Sequence, residues 1–232
     1  MNQQDRNCEM KSHATAPACK PKWSANELRL LEKLKSPFAI QGFLDSVEYS
    51  SDSFYRSPRR VMADRKAHCA DGAFFSAMAL RRLGFPPLIM ELAAVRDDDH
   101  LLAPFMIRGK YGAIAKSNFM FLRYREPVYR TLRELVMSYF EGYYNLDGER
   151  SLRTYSATLN LARFDHLCWW SDDSAMDRII PSLESAKHFP VTDRAAIKAF
   201  THVDKRTFDA GLLGAKLEGL HKPQKPARIK KG

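Results

Sequence analysis

Residues 69–107 read CADGAFFSAMALRRLGFPPLIMELAAVRDDDHLLAPFMI and predict one helix followed by two strands. Small and apolar side chains recur at spacings of three and four over residues 69–83, as expected for a helix buried on most sides. Gly84 and the two prolines that follow it soon after end this helix. An apolar run of strand length follows at 88–95, and a second strand is predicted at 100–107, after an acidic loop.

A hairpin extends this unit. Residues 108–110, Arg-Gly-Lys, are a predicted turn, and the third strand is expected at 111–116. The third strand runs back beside the strand that begins at His100, so the residues near its end should lie close to that histidine.

Helical patterns flank this unit on both sides. The sequence predicts helices that begin at Ser24 and end before Pro37, and further helices at 38–47, at 128–143 after Pro127, at 176–188 and at 193–200. The Ser-rich stretch 49–58 is expected to be a loop. The predicted organisation is a disordered tail at 1–22, one domain with a helical extension at 23–220, and a basic tail at 221–232.

Composition limits the class of protein. Apolar residues make up 45% of the 232 residues, and no apolar stretch approaches the length of a membrane span. The N-terminal residues lack a basic region followed by an apolar run, so we expect a cytoplasmic protein without a signal peptide and with no membrane partner. The net charge is +10, and residues 221–232 carry five Lys or Arg and no acid. Such a tail can bind nucleic acid, but no aromatic side chains are interleaved with basic ones, which makes this the weaker interpretation.

The four cysteines are few and widely spaced for a chain of this length. A disulfide framework is therefore not expected, and reduced thiols are the simplest interpretation. The spacing of Cys8, His13 and Cys19 fits no zinc-binding pattern. We expect neither a metal nor another cofactor.

Cys69 is the candidate nucleophile, because the unpaired N–H groups and the dipole of a helix N-terminus favour a thiolate. Arg65 and Lys66 would act in the same direction. The same N–H groups could hold the oxyanion that forms when a carbonyl is attacked. The small residues Ala70 and Gly72 leave space for the close approach of substrate or sheet.

The candidate base is His100. His68 is adjacent to the cysteine, but neighbouring residues at a helix start point in different directions. His100 opens a strand that can pack over the Cys69 helix. A third group must orient the imidazole, and Ser117 and Asn118 lie near the end of the returning strand.

These features resemble the transglutaminase-like superfamily. The resemblance rests on Cys69 opening a helix, the segment ALRRLGFPP at 79–87 leading into a strand, His100, and a hairpin with an aromatic residue at Tyr111. It covers residues 61–118 and implies a cytosolic member of bacterial type. The implied fold is α+β, with a papain-like core in which a helix packs on an antiparallel sheet, here with extra C-terminal helices. The implied chemistry is cysteine acyl transfer on amides, although some members of the superfamily have lost catalysis.

The third site residue departs from the family pattern. When Tyr111 is matched to the usual tryptophan, the aspartate of the family falls on Ala115. Ser117 shares the strand face of Ala115, because faces alternate with period two. Asn118 has the better chemistry, since its amide oxygen can accept from an imidazole N–H, and we favour it over Ser117.

The predicted function is thiol-dependent hydrolysis or acyl transfer on an amide or peptide bond, with a peptide or protein as substrate. The alternative is a non-catalytic domain of the same fold that binds peptide or protein, since a free cysteine is often a buried small hydrophobe. The fragment DHLCWW at 165–170 also contains acid, histidine and cysteine. Triads are recognised by geometry and not by adjacency, so this fragment is the weaker candidate.

Overall fold

The computed structural model describes residues 19–221. The helices, in chain order, are α1 (Ala25–Leu31), α2 (Pro37–Ser46), α3 (Pro58–Asp64), α4 (Cys69–Arg82), α5 (Leu132–Phe140), α6 (Ser174–Glu184), α7 (Arg194–Lys198) and α8 (Lys205–Gly211). The strands are β1 (Glu48–Tyr49), β2 (Lys66–Ala67), β3 (Leu88–Ala94), β4 (His100–Ile107), β5 (Lys110–Ile114), β6 (Arg125–Tyr129), β7 (Leu152–Ser156), β8 (Leu159–Asn160) and β9 (His188–Pro190). Within the described residues, none of the helices combines the length and apolar character needed to cross a bilayer.

The main sheet has the strand order β6-β5-β4-β3-β7-β9, and β8 also pairs with β3. Every neighbouring pair in this sheet is antiparallel. The α+β class, with a helix packed on an antiparallel sheet and further helices on the C-terminal side, is confirmed.

The sheet is covered on both faces, which explains why β4 reads as an almost continuous apolar run. Leu101, Ala103 and Phe105 belong to the core that contains α4. Leu102 points the other way, into a second core that contains the buried face of α5. Side chains of a strand alternate between faces, so the strand needs apolar residues at successive positions.

The helix predicted at 69–83 is observed as α4. Its N-cap is His68, which forms a capping box with Asp71. At the other end Gly84 has a φ of +89°, a conformation that favours glycine, and the amide of Phe85 reaches back to the Leu80 carbonyl. The predicted stop is therefore confirmed.

The third strand ends two residues earlier than expected. After Ile114 the chain turns to α2, where the Ala115 amide and carbonyl both bond to the side chain of Gln41. Lys116 then donates from Nζ to the carbonyls of Leu44 and Val47 at the end of α2. These contacts end the pairing with β4 before the chain reaches Ser117.

Other predicted elements need correction. The helix expected at 128–143 begins only after its N-cap Thr131, because residues 125–129 form the edge strand β6. Pro127 is tolerated there since an edge strand has one side without ladder hydrogen bonds. The expected loop at 49–58 ends at the N-cap Ser57, which starts α3.

Cys19 and Cys168 form a disulfide, which contradicts the expectation of reduced thiols. Their Cα atoms are 5.4 Å apart although 149 positions separate them in sequence. The spacing of the cysteines along the chain therefore could not predict this pairing. Cys19 also packs against the core. Of the tail expected at 1–22, residues 1–18, which include Cys8 and His13, lie outside the described residues, as does the basic tail beyond His221.

Candidate active site

Cys69 is the first residue of α4 and lies at the start of β4. Its Sγ is 3.7 Å from the carbonyl oxygen of Asp99, and the Leu101 backbone also hydrogen-bonds the sulfur. The sulfur therefore contacts the backbone of the two residues that flank His100. The start of α4, with Cys69, therefore lies next to the start of β4, with His100, as the order of these elements in the sequence suggested.

The helix cap occupies the amides that we expected to hold an oxyanion. Nδ1 of His68 accepts from the amides of Ala70, at 3.1 Å, and Asp71, at 3.4 Å. Asp71 in turn accepts from the His68 amide and, at 2.7 Å, from the Arg56 amide. In the described part of the chain, the Cys69 amide has no hydrogen-bond partner, so among the first three amides of α4 it is the one free to donate.

The thiol is not activated in this conformation. Burial, with a smaller contribution from the carboxylates of Asp71 and Asp98, raises the pKa of Cys69 to about 11, against the lowering effect of hydrogen bonds from the Leu101 and Ala70 backbone. Arg65 and Lys66, which were expected to lower the pKa of Cys69, are not among the groups that act on it. Arg65 donates to Ser46, while Lys66 pairs with Glu48.

His100 is buried and held by a backbone atom. Its Nε2 is 2.8 Å from the carbonyl oxygen of Leu122, so Nε2 carries the proton and Nδ1 is left as an acceptor. Burial lowers the pKa of His100 to about 4, which keeps the ring neutral. The ring lies on the same strand face as Leu102 and packs edge-on against Tyr143, with centroids 6.4 Å apart.

Asn118 and Ser117 do not orient His100, contrary to expectation. The Asn118 side chain accepts from the Lys216 amide and donates to the Lys216 carbonyl, both at 2.8 Å. Ser117 accepts from the amide of Phe119. The orienting contact belongs instead to the Leu122 carbonyl, and the pairing of β5 with β4 ends at Ile114, before the chain reaches residues 117 and 118.

All four predicted site residues nevertheless line one cavity of about 510 Å³. Further walls come from Tyr49, from the acidic loop at 97–99, and from the C-terminal residues 218–221. Burial raises the pKa of Tyr49 well above its usual value, so its hydroxyl stays protonated next to Cys69. The cavity combines a thiol, an imidazole and hydrogen-bond donors, the groups that acyl chemistry needs.

The acidic loop before His100 is held in place by its own side chains. Asp97 accepts from Ser151, and Asp99 accepts from the Ala94 amide. The Tyr143 hydroxyl donates at 2.7 Å to the Asp98 carbonyl. These bonds fix the approach of the chain to His100.

The competing fragment at 165–170 is structural. Asp165 accepts from Arg81 and from the Trp169 indole, and Cys168 is in the disulfide. Trp169 and Trp170 are buried in the core around α4. This supports the interpretation of the two tryptophans as core residues.

Three contributors to the site escaped sequence reasoning. The Leu122 carbonyl is a main-chain atom and has no residue signature. His68 carried a signal, since an acidic residue three positions after it is the spacing of a capping box. Tyr49 reaches the site through the parallel pairing of β1 with β2, which follows from no local pattern.

Comparison with known proteins gives a sparse result. No protein-family model and no curated protein matches the chain. Among solved structures, the chain is similar to LapG of Legionella pneumophila, with a TM-score of 0.31 and 19% identity over 38% of this chain and 57% of that chain. For LapG treated with EGTA the TM-score is 0.38, with 14% identity over 65% of this chain and 84% of that chain. At this level of similarity the chemistry of the site has to be inferred from its own residues.

Proposed function

We propose that the protein hydrolyses, or transfers the acyl group of, an amide or peptide bond, with Cys69 as nucleophile and His100 as base. The observation that carries this proposal is the hydrogen bond from Nε2 of His100 to the Leu122 carbonyl. It fixes the tautomer in which Nδ1 can accept a proton, in the cavity that also contains the Cys69 thiol. A peptide or protein is the proposed substrate class.

The proposed reaction has two stages. The Cys69 proton moves to Nδ1 of His100 while the sulfur attacks the substrate carbonyl carbon. The C–N bond then breaks, and the imidazolium returns its proton to the leaving amine, which leaves a thioester on Cys69. Water or a second amine attacks the thioester, and its proton passes through His100 to the departing sulfur.

The oxyanion needs donors that are not already occupied. The Cys69 amide is one, and the protonated hydroxyl of Tyr49 is proposed as the second. Removing one such donor typically lowers kcat about 10²–10³-fold in acyl-transfer enzymes.

The alternative is a peptide-binding domain without catalysis. The observation that favours it is the raised pKa of Cys69, because a thiol that stays protonated near neutral pH is a weak nucleophile. In that case peptide affinity would be the same for the native chain and for Cys69→Ser.

The disulfide bears on where this chemistry takes place. A cytoplasmic location was expected from the lack of a signal-peptide pattern, and reduced thiols were the matching expectation for the cysteines. Disulfides persist mainly in oxidising compartments, so the Cys19–Cys168 bond favours such a compartment for the protein.

A peptide mixture tests the enzymatic proposal. We expect the native chain, incubated with a tryptic digest of casein and dansylcadaverine, to produce new peptide termini if it hydrolyses, or dansylated peptides if it transfers, as detected by mass spectrometry. His100→Ala should lower the rate about 10²–10⁴-fold. Cys69→Ser should abolish both products. Products that persist in Cys69→Ser, or a native chain that forms neither product, would contradict the proposal.

A further inference from the structure

The C-terminal segment Lys216–His221 crosses the cavity of Cys69 and is fastened on both sides of it. At one end Lys216 bonds through its backbone to Asn118 and through its side chain to Glu48. At the other end Nδ1 of His221 is 2.8 Å from the Asp98 carboxylate. Four residues of the segment, 218–221, line the cavity together with Cys69 and His100.

The fastening at Asn118 is a way of holding a peptide main chain. The amide group donates to one backbone carbonyl and accepts from one backbone N–H of the same residue, the pattern by which a strand binds its neighbour. Asn118 is itself buried, with 9% of its surface exposed, so its two bonds are shielded from water. Such contacts bind backbone atoms, so they do not depend on which side chain the bound residue carries.

Gly219 fits between the walls of the cavity only because it lacks a side chain. A Cβ at this position would lie 2.9 Å from two atoms of the Tyr49 ring and 3.2 Å from Nδ2 of Asn118. By contrast, Leu217 in the same segment is 74% exposed and contributes no apolar anchor. Apart from the side-chain contacts of Lys216 and His221 at its two ends, the segment is therefore held by its main chain and by one close glycine contact.

We propose that Lys216–His221 occupies, in cis, the subsite in which Asn118 and Tyr49 bind the main chain of a peptide substrate. This inference rests on the proposed function and deepens it. Residues Leu217–Gly219 form a single 3-10 turn, so the ligand class is a peptide that makes a tight turn, with glycine at the position that faces Tyr49. A substrate must displace the chain's own segment before it can reach Cys69.

The test uses access to Cys69, which needs no turnover. In the full chain, Gly219→Val and Asn118→Ala should each release the segment and raise the rate at which iodoacetamide alkylates Cys69 at pH 8 by about tenfold or more. Valine at position 219 would clash with the Tyr49 ring, and Asn118→Ala removes both hydrogen bonds to Lys216. Leu217→Ala, in the same segment but exposed, is the matched control and should alkylate at the native rate. Circular dichroism checks that each variant is folded.

A peptide in trans makes the test specific. The peptide of residues 214–222, GAKLEGLHK, should restore protection of Cys69 in the Gly219→Val chain, and the same peptide with Val in place of Gly219 should not. If a variant fails to fold, hydrogen exchange of backbone amides in the native chain tests whether the segment is held at Asn118. The Lys216 amide, bonded to Asn118, should exchange more slowly than the amides of the exposed residues beside it.

Alkylation at the native rate in folded Gly219→Val and Asn118→Ala would overturn the proposal and make the segment a fixed wall of the cavity. So would an unprotected Lys216 amide. If the variants are alkylated faster as expected but the protein acts on no peptide, the proposed place of the segment stands and the enzymatic function is contradicted. The two failures are therefore distinguishable.

Discussion

Two opposing effects set the pKa of Cys69: the helix N-terminus lowers it and burial raises it. A helix N-terminus stabilises a negative charge by about 0.3–1 kcal/mol, which is less than one pKa unit. Burial can shift a pKa by up to about 3–5 units. Burial dominates here and raises the pKa of the thiol to about 11, although the residue occupies the first position of α4.

This environment predicts the pH dependence of alkylation in the native chain. The thiolate is the reactive form, so the rate at Cys69 should rise about tenfold per pH unit between pH 7 and pH 10. Mass spectrometry of iodoacetamide-treated protein measures it, with Cys69→Ser as the control for site assignment. The helix N-terminus alone favours a thiolate, so a rate that has already levelled off at pH 8 would contradict the raised pKa.

At the scale of single residues, the nucleophile and base candidates came from chain order, and the structure places both in one cavity. Their catalytic roles stay predictions. The third group could not be read from the sequence, because it is the carbonyl of Leu122 and every residue has a carbonyl. The amide oxygen of Asn118 accepts a hydrogen bond as expected, but the donor is the backbone of Lys216, 98 positions away, and not His100.

At the scale of elements, local signals were reliable where they agreed with tertiary packing. The helix α4 had apolar spacing and a glycine stop, and β4 was predicted with its observed bounds, His100–Ile107. The end of β5 was missed because Gln41 and Lys116 draw the chain to α2, a contact more than seventy positions away. The strand β6 was missed because Pro127 was interpreted as a helix start.

The close approach of Gly72 in α4 to Lys116 gives a prediction at the scale of elements. A Cβ at Gly72 would overlap the side chain of Lys116, so Gly72→Ala should lower the free energy of unfolding by about 1–3 kcal/mol. Urea denaturation measures the change. Gly42→Ala is the matched control, because Gly42 lies in α2 with no atom within 4 Å of an added Cβ, and it should be stabilising by up to about 1 kcal/mol. Equal effects at the two glycines would contradict the close approach at Gly72.

At the scale of the whole molecule, the disulfide joins the N-terminal part of the described chain to the segment before α6. The α+β class was predictable from the order of helix and strands, since each has its own hydrophobic period. The disulfide was not, because four cysteines allow several pairings and their spacing selects none.

The disulfide also predicts a stability change. Cys19→Ser should lower the free energy of unfolding by about 2–5 kcal/mol, since the bond restricts a long loop of the unfolded chain. Guanidinium denaturation of the oxidised protein measures it. Cys168→Ser should give the same loss, and the double variant no more than either single one. An additive double variant would mean that the two cysteines act separately.

The same bond sets the path of a mechanical load along the chain. If the protein is pulled by residues 19 and 221, the force passes from Cys19 directly to Cys168, and the 148 residues between them carry no tension while the bond is intact. Cys69, His100 and Asn118 all lie inside this shielded loop. The segment Lys216–His221 lies outside it, at the loaded end. Tension would therefore peel the segment away from Asn118 while the cavity beneath it stays folded.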